Sequence, residues 1–226
     1  MLLNSIKLRS IYIQIQNKLF NLIPERWSKI YLYASVSEKI NNIETGEMFF
    51  YYFPKGILKK NPVNVYEVPS KFNIDEKSYL DLVDELYNLI KKLRVQFSKQ
   101  NEKCLWSSIT IILENNKFTI KYNFEDLLGS KYTSYDRHII FKYEYLNMPI
   151  EILSRKDRKM LENYYEDLEK ENINQQEYTE EIYNKAHNII EYDREEKNID
   201  IVVSKNIENK KAKGKQEEIN QILKIN

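Results

Sequence analysis

Apolar residues in the first part of the chain recur at the spacing of an amphipathic helix. Within the segment from Ser5 to Ile23 they are Leu8, Ile11, Tyr12, Ile15, Leu19 and Leu22. Residues three and four positions apart lie on one face of a helix, so this pattern predicts a helix with one buried face. Pro24 lacks the backbone N–H that a continuing helix needs and marks the end of this first helix.

A longer helical pattern begins near Asn73 and extends to about Lys99. Its predicted inner face consists of Tyr79, Leu82, Val83, Leu86, Leu89, Ile90, Leu93 and Phe97. Asn73 followed by Glu76 has the spacing of a capping box, which favours a helix start at this point. The chain is therefore predicted to contain a long central helix.

Four segments have the residue types and the alternation that are typical of β-strands. They are residues 29–36, 48–53, 106–113 and 117–124. The polar residues 114–116 between the last two segments predict a hairpin, and thus an antiparallel pair. Between residues 55 and 69 the prolines leave room for at most a short edge strand near 63–68.

Two further helices are predicted after the strands, at about Tyr135 to Leu146 and Arg155 to Glu169, with Ser134 and Ser154 as their N-caps. The order of elements indicates an α+β protein. We expect an antiparallel sheet of about four to five strands packed against the N-terminal helix and the long central helix, followed by the C-terminal helices.

The charge balance changes near Lys170. Residues 1–170 carry 26 basic and 22 acidic side chains, a net charge of +4, whereas residues 171–226 carry nine basic and twelve acidic, a net charge of −3. We therefore predict a domain at 1–170 and a charged, helical C-terminal extension at 171–226. In the extension an apolar stripe at helical spacing has two possible docking sites, the domain of the same chain, which we favour, or a partner protein or second copy of the protein. The lysine-rich segment 205–215 is expected to be mobile. The stripe consists of Tyr178, Ile182, Ala186, Ile189 and Ile190.

Composition narrows the classes of protein to which the chain can belong. With 226 residues and 42% hydrophobic content, it is long enough to bury a core unaided. It has no apolar run near the roughly 20 residues that cross a bilayer, and its N-terminus does not fit a cleaved signal peptide. A single cysteine, Cys104, fits a reducing cytoplasm, and a net charge of +1 does not favour unspecific binding to nucleic acids or membranes.

The usual signatures of catalysis and cofactor binding are missing from the sequence. The four glycines are isolated from one another, so no phosphate-binding loop is indicated. His138 and His187 lie in separate helical segments without a second histidine nearby, and Cys104 reads as a small buried residue. We therefore expect no enzyme activity, no cofactor and no metal.

Three groups of residues carry the remaining hypotheses. Asp81, Asp84 and Glu85 form an acidic ridge on the central helix, which could engage the basic cleft of a nuclease as a substitute for phosphates. Glu125 and Asp126 follow a predicted strand and could form the carboxylate pair of a hydrolase, or simply begin a helical turn. The lysines between 205 and 215 could serve a structural adaptor or a weak nucleic-acid-binding protein.

Several blocks of the sequence resemble the YezG family of antitoxin, or immunity, proteins. The segment Ile23-Pro24-Glu25-Arg26-Trp27, followed by residues 31–36, is similar to the opening of that family. The similarity continues through the long helix, through Trp106 and residues 117–126, and through residues 135–149, and it covers about residues 5–165. Phe141 stands where Trp is expected, and Asn147 stands where Gly is common.

The resemblance implies a function in protein–protein binding. Members of the family protect the producing cell from a toxin, typically a polymorphic toxin that has a nuclease domain and an LXG-type secretion domain. The resemblance thus implies a cytoplasmic antitoxin that binds the nuclease domain of its cognate toxin directly. Under this interpretation the motif residues Trp27, Tyr31, Tyr33, Trp106 and Phe124 build the core rather than the interface.

Overall fold

In the computed structural model the described residues are 2–37, 46–56, 61–99, 105–114, 117–174 and 199–202, with backbone alone at 2–5, 170–174 and 199–202. The described residues up to 128, together with 199–202, form one compact unit, and residues 129–174 form a second. The predicted α+β class is confirmed. The boundary predicted near residue 170 and the extension at 171–226 stay predictions, because most of that extension lies outside the described residues.

The described helices and strands follow the predicted order. The helices are α1 (Leu2–Asn21), α2 (Val68–Phe72), α3 (Glu76–Ser98), α4 (Ser134–Tyr145) and α5 (Arg155–Asn174). The strands are β1 (Trp27–Ser35), β2 (Met48–Pro54), β3 (Val63–Asn64), β4 (Ser108–Glu114), β5 (Lys117–Asn123) and β6 (Ile199–Val202). Short 3₁₀ turns occupy Val65–Glu67 and Ile150–Ile152.

The sheet of the first unit is centred on β1. Its strand order is β3-β2-β1-β4-β5-β6, and the first five of these strands pair antiparallel, as predicted. Tyr31 of β1 lies opposite Tyr51 of β2 on one side and Ile112 of β4 on the other. Residues 30–36 of the chain are all buried, which is the burial pattern of a central strand.

The strand β6 extends the sheet beyond the elements that the pattern predicts. Its backbone pairs parallel with β5, from Phe118 opposite Ile199 to Lys121 opposite Val202. The segment Ile199-Asp-Ile-Val202 is rich in β-branched residues, which favour extended backbone. A parallel partner distant in sequence has no turn signal beside it, so the local pattern does not reveal this pairing.

The helices α1 and α3 cover one face of this sheet. On β1 this face consists of Ile30, Leu32 and Ala34, all fully buried. Ala34 lies opposite Ile109 of β4, and Ile109 lies opposite Tyr122 of β5, so Tyr122 belongs to the same face. The Tyr12 hydroxyl of α1 lies 2.9 Å from the Tyr122 hydroxyl. From α3, the hydroxyl of Tyr79 donates to the Leu22 carbonyl (2.7 Å) and that of Tyr87 to the Ser35 carbonyl (2.8 Å). Tyrosines thus join both helices to the sheet layer.

The segment between β2 and α3 contains a short edge strand, as predicted near 63–68. This strand, β3, ends at Asn64, and the chain then turns into the short helix α2, with Pro69 in its first turn. Proline is well suited to that position because its missing N–H would have no helical partner there. Asn73 ends α2 in a left-handed conformation (φ 53°), so Asp75 caps α3 by accepting from the Ser78 N–H (2.8 Å). The predicted Asn73 cap is therefore wrong.

The second unit is built on α4 and α5. Its core consists of Ile139, Ile140, Tyr143, Ile150, Leu153, Leu161 and Tyr165. Thr133, and not the predicted Ser134, caps α4 in a reciprocal capping box with Asp136. Ser154 caps α5 as predicted, since its hydroxyl accepts from the Asp157 N–H (3.2 Å).

Asn147 follows α4 in the left-handed region, with a φ of 54°. A residue with a Cβ is strained in this conformation, Asn less than most, and Gly is free of the strain. This backbone explains why Gly is common at the position in the family that the chain resembles.

We predict that Asn147→Ala lowers the free energy of unfolding by about 1 kcal/mol, whereas Asn147→Gly leaves it unchanged or raises it. Urea denaturation followed by circular dichroism measures both variants. An equal loss for Ala and Gly would show that the Asn147 side chain, and not its backbone conformation, is what matters.

Candidate functional site

The acidic ridge lies on the outer face of α3. Val83 and Leu86 are buried against the sheet layer, and the residues between and beside them turn outward because a helix repeats every 3.6 residues. Asp81, Asp84 and Glu85 are accordingly all exposed. The structure thus brings the three predicted residues onto one accessible surface, together with Leu82, which was predicted to face inward but is 38% exposed.

The three carboxylates of the ridge differ in their surroundings. Glu85 forms an ion pair with Lys18 of α1. Asp81 and Asp84 pair with no basic side chain among the described residues. Among the described residues, Asp81 and Asp84 thus carry uncompensated negative charges, and the charge of Glu85 is partly neutralised. The sequence alone does not reveal this difference, because Lys18 reaches Glu85 only through the packing of α1 on α3.

An exposed tyrosine lies beside the ridge. Tyr66 is 44% exposed and sits in the 3₁₀ turn before α2, where its N–H donates to the Asn64 side chain (3.2 Å). Partial burial raises the pKa of Tyr66, and the negative charge of Asp84 adds to the increase. Tyr side chains often anchor protein interfaces. Sequence analysis missed this residue, because it lies 18 positions before Asp84 in the chain.

The C-terminal half of α3 has the opposite charge. Lys91 and Lys92 of α3, Lys99 directly after it and Lys7 of α1 line an open groove whose apolar wall includes Val95. Among the described residues these lysines form no ion pair with a carboxylate. The outer face of α3 therefore changes along its length from acidic to basic.

The candidate hydrolase pair contributes to local structure. The Asp126 carboxylate accepts from the Leu128 N–H (3.1 Å), which stabilises the turn that follows β5. The Glu125 carboxylate lies 3.5 Å from the Ser108 hydroxyl, which donates to it. These contacts fit the reading in which the two acids begin a turn.

The other chemical candidates are spread along the chain. His138 lies half-buried on α4 and has an interaction partner. Cys104, His187, the apolar stripe of the extension and the lysines between 205 and 215 lie outside the described residues. Across the part of the chain that the structure describes, no group of three or more His, Cys, Asp or Glu could hold a metal ion. No helix in that part is long and apolar enough to span a membrane.

The motif after α1 ties together several elements of the first unit. Glu25 accepts from the Tyr52 hydroxyl of β2 (2.8 Å) and pairs with Lys71 of α2 (2.5 Å). Burial and this carboxylate raise the pKa of Tyr52. Trp27 packs on Phe20 with 5.4 Å between ring centroids. The motif is therefore part of the scaffold.

Comparison with known proteins identifies the family. A family model described as immunity protein YezG-like matches residues 8–162. The chain belongs to this family. The part of this chain that the YezG-like family model matches includes α3 with its acidic ridge and all of the motif residues named above. Family membership supports an immunity role for the chain and a toxin as its partner.

Three relatives match this chain over nearly the whole of their own lengths. An immunity protein YezG from Bacillus spizizenii is 30% identical over 168 residues, 74% of this chain and 95% of that protein. An immunity protein YezG from Bacillus subtilis is 29% identical over 147 residues, which are 62% of this chain and 89% of that protein. A type VII secretion system protein, EsaG, from Staphylococcus aureus is 27% identical over 166 residues, which are 72% of this chain and 96% of that protein.

We predict that Asp84→Asn lowers the pKa of Tyr66, because the lost negative charge no longer disfavours the tyrosinate. The pKa stays somewhat raised in the variant, since burial is its larger cause. NMR titration of protein labelled with ¹³C at the tyrosine ring resolves Tyr66 among the 18 tyrosines. Asp81→Asn is the control and should move the Tyr66 pKa less. Identical shifts in both variants would contradict the proximity of Tyr66 to Asp84.

Proposed function

We propose that this YezG-like protein neutralises a cognate secreted toxin by binding its nuclease domain in the cytoplasm of the producing cell. Family membership supports the immunity role. The name of the related type VII secretion system protein EsaG supports a secreted partner. The observation that carries the nuclease assignment is the pair of uncompensated carboxylates, Asp81 and Asp84, on an exposed face of α3.

The physical basis of the nuclease assignment is charge complementarity. A nuclease holds a polyanion in a basic cleft, and carboxylates at a regular spacing can occupy the places of phosphates. Asp81 and Asp84 are three residues apart, so their Cβ atoms are neighbours at about 5 to 6 Å on the helix surface. Such a contact blocks the cleft without any chemical step, and the inhibitor needs no catalytic group of its own.

Tyr66 completes the proposed contact surface. Charged groups at the edge of an interface mainly steer association, while buried aromatic side chains provide most of the affinity. Tyr66, next to Asp84, supplies an amphipathic ring whose hydroxyl can still form hydrogen bonds after burial. The acidic ridge and Tyr66 thus have separate roles, in association rate and in complex lifetime.

Co-expression with the toxin encoded next to its gene tests the immunity role. We expect the chain to restore growth and to co-purify with the toxin's nuclease domain. The double variant Glu125→Gln, Asp126→Asn should restore growth equally well if its fold is intact, because neither acid takes part in the contact. Loss of rescue in that variant, with the complex still formed, would favour a hydrolase. Failure of both rescue and complex formation would contradict the immunity role itself.

Association kinetics test the acidic ridge. We predict that Asp81→Lys with Asp84→Lys slows association with the nuclease domain by about tenfold or more at low ionic strength, and much less at 0.5 M salt, where the Debye length is only several ångströms. Glu85→Lys should have a smaller effect, because Lys18 already compensates Glu85. Stopped-flow or surface plasmon resonance measures these rates.

A matched control uses a charge of the same sign elsewhere. Glu151 is exposed and lies in the second unit, in the turn Ile150–Ile152. Glu151→Lys should change the association rate only slightly. An unaltered rate for the ridge variant at low salt, with the complex still tight, would exclude the acidic ridge from the interface while leaving the immunity role intact.

A further inference from the structure

The outer face of α3 carries charges that are arranged symmetrically about its middle. Asn88 is exposed at the centre of this face. Asp84 and Glu85 precede it by four and three residues, and Lys92 and Lys91 follow it by the same intervals. The charge changes sign across Asn88, so the face is complementary to itself when one copy is reversed end to end.

The geometry of two α-helices fits this reversal. At a rise of 1.5 Å per residue, the acidic and the basic pair lie about 4.5 to 6 Å on either side of Asn88 along the axis. In an antiparallel pairing about Asn88, Asp84 and Glu85 of each copy come opposite Lys91 and Lys92 of the other. A twofold axis repeats every contact, so each attraction is counted twice.

The charges on this face are largely unused within one molecule. Asp84 and Lys92 form no ion pair among the described residues. Lys91 lies 5.4 Å from the centre of the Tyr87 ring, a contact that leaves its charge uncompensated. Within the part of the chain that the structure describes, Glu85 alone of these four residues has an ionic partner, Lys18. Near the basic pair, Val95 is 45% exposed.

We propose that this face of α3 binds a second copy of the same chain, in an antiparallel arrangement with Asn88 on the twofold axis. The contact is polar and small, so it holds a reversible dimer with a dissociation constant on the order of 100 μM. Asn88 meets its own counterpart at the axis, where two amide side chains can hydrogen-bond to each other and define the register.

The dimer shields part of the acidic ridge, since Asp84 and Glu85 belong to both surfaces. A toxin and a second copy therefore compete for these carboxylates, a consequence that rests on the proposed function. The self-association itself involves no toxin. It is measured on the isolated protein, so its outcome is independent of the growth-rescue experiment.

Sedimentation equilibrium of the full chain tests the pairing with charge-reversed variants. The first variant carries Asp84→Lys and Glu85→Lys, and the second carries Lys91→Glu and Lys92→Glu. Each alone brings like charges together across the axis, which should weaken self-association by about tenfold or more. An equimolar mixture of the two variants restores opposite charges at every contact, and we expect it to associate as well as the wild type does.

Three controls keep the result specific to this face. Arg155→Glu with Lys156→Glu makes the same change in net charge as the second variant, on exposed residues of α5, and should leave association unchanged. The wild type should dissociate further at 0.5 M salt, as expected of exposed ion pairs. If a reversed variant is unfolded by circular dichroism, Lys91→Gln with Lys92→Gln replaces it, with the same expected direction.

The mass measured for the equimolar mixture of the two variants is the decisive result. Reassociation of two variants that are each monomeric supports the antiparallel pairing. The proposal would be overturned if the wild type keeps the mass of a monomer at protein concentrations up to about five times the expected dissociation constant. It would also be overturned by a mixture that remains monomeric while the wild type associates, or by an equal loss in the α5 control.

Discussion

The packing of α1 and α3 against one face of the sheet around β1 determines most of what this protein presents to a partner. Residues 30–36 are buried throughout, and Ile30, Leu32 and Ala34 meet the helices. Once Val83, Leu86 and Ile90 are committed to that contact, the 3.6-residue repeat leaves no choice about which side chains of α3 face outward. The position of the acidic ridge on the surface thus depends on the packing of the core as well as on which residues are acidic.

The charge order along α3 has a structural cause only at the ends of the helix. Acidic residues in its first half and basic residues in its second half agree with the helix dipole, which favours negative charge at the N-terminus and positive charge at the C-terminus. The effect is confined to the terminal turns, so it accounts for Glu76 and the Asp75 cap but not for Asp84, Glu85, Lys91 and Lys92 near the middle. Of these middle residues, Asp84, Lys91 and Lys92 form no ion pair among the described residues, whereas Glu85 pairs with Lys18.

The family motif and the candidate interface occupy different parts of the first unit. Glu25 and Trp27 join the end of α1 to β2 and α2 through a hydrogen bond, an ion pair and an aromatic contact. Tyr66, Asp81 and Asp84 lie on a surface where a substitution leaves the core contacts in place. Such a separation allows a scaffold to be kept while the surface changes to suit a different toxin.

The sequence by itself determined the elements whose signal is local. The spacing of apolar residues placed α1, α3 and the strands β1, β2, β4 and β5, because periodicity follows from backbone geometry within a few residues. It misplaced the start of α3, where Asn73 and Asp75 are both good caps and only the fold of α2 selects between them. Tertiary structure alone decided which of these charges are compensated within the chain. Lys18 pairs with Glu85 across 67 residues of chain, a separation at which no local pattern carries information. The pairing of β6 with β5 belongs to the same class, since the two strands are far apart in the sequence, with α4 and α5 between them, and pair parallel without a hairpin turn.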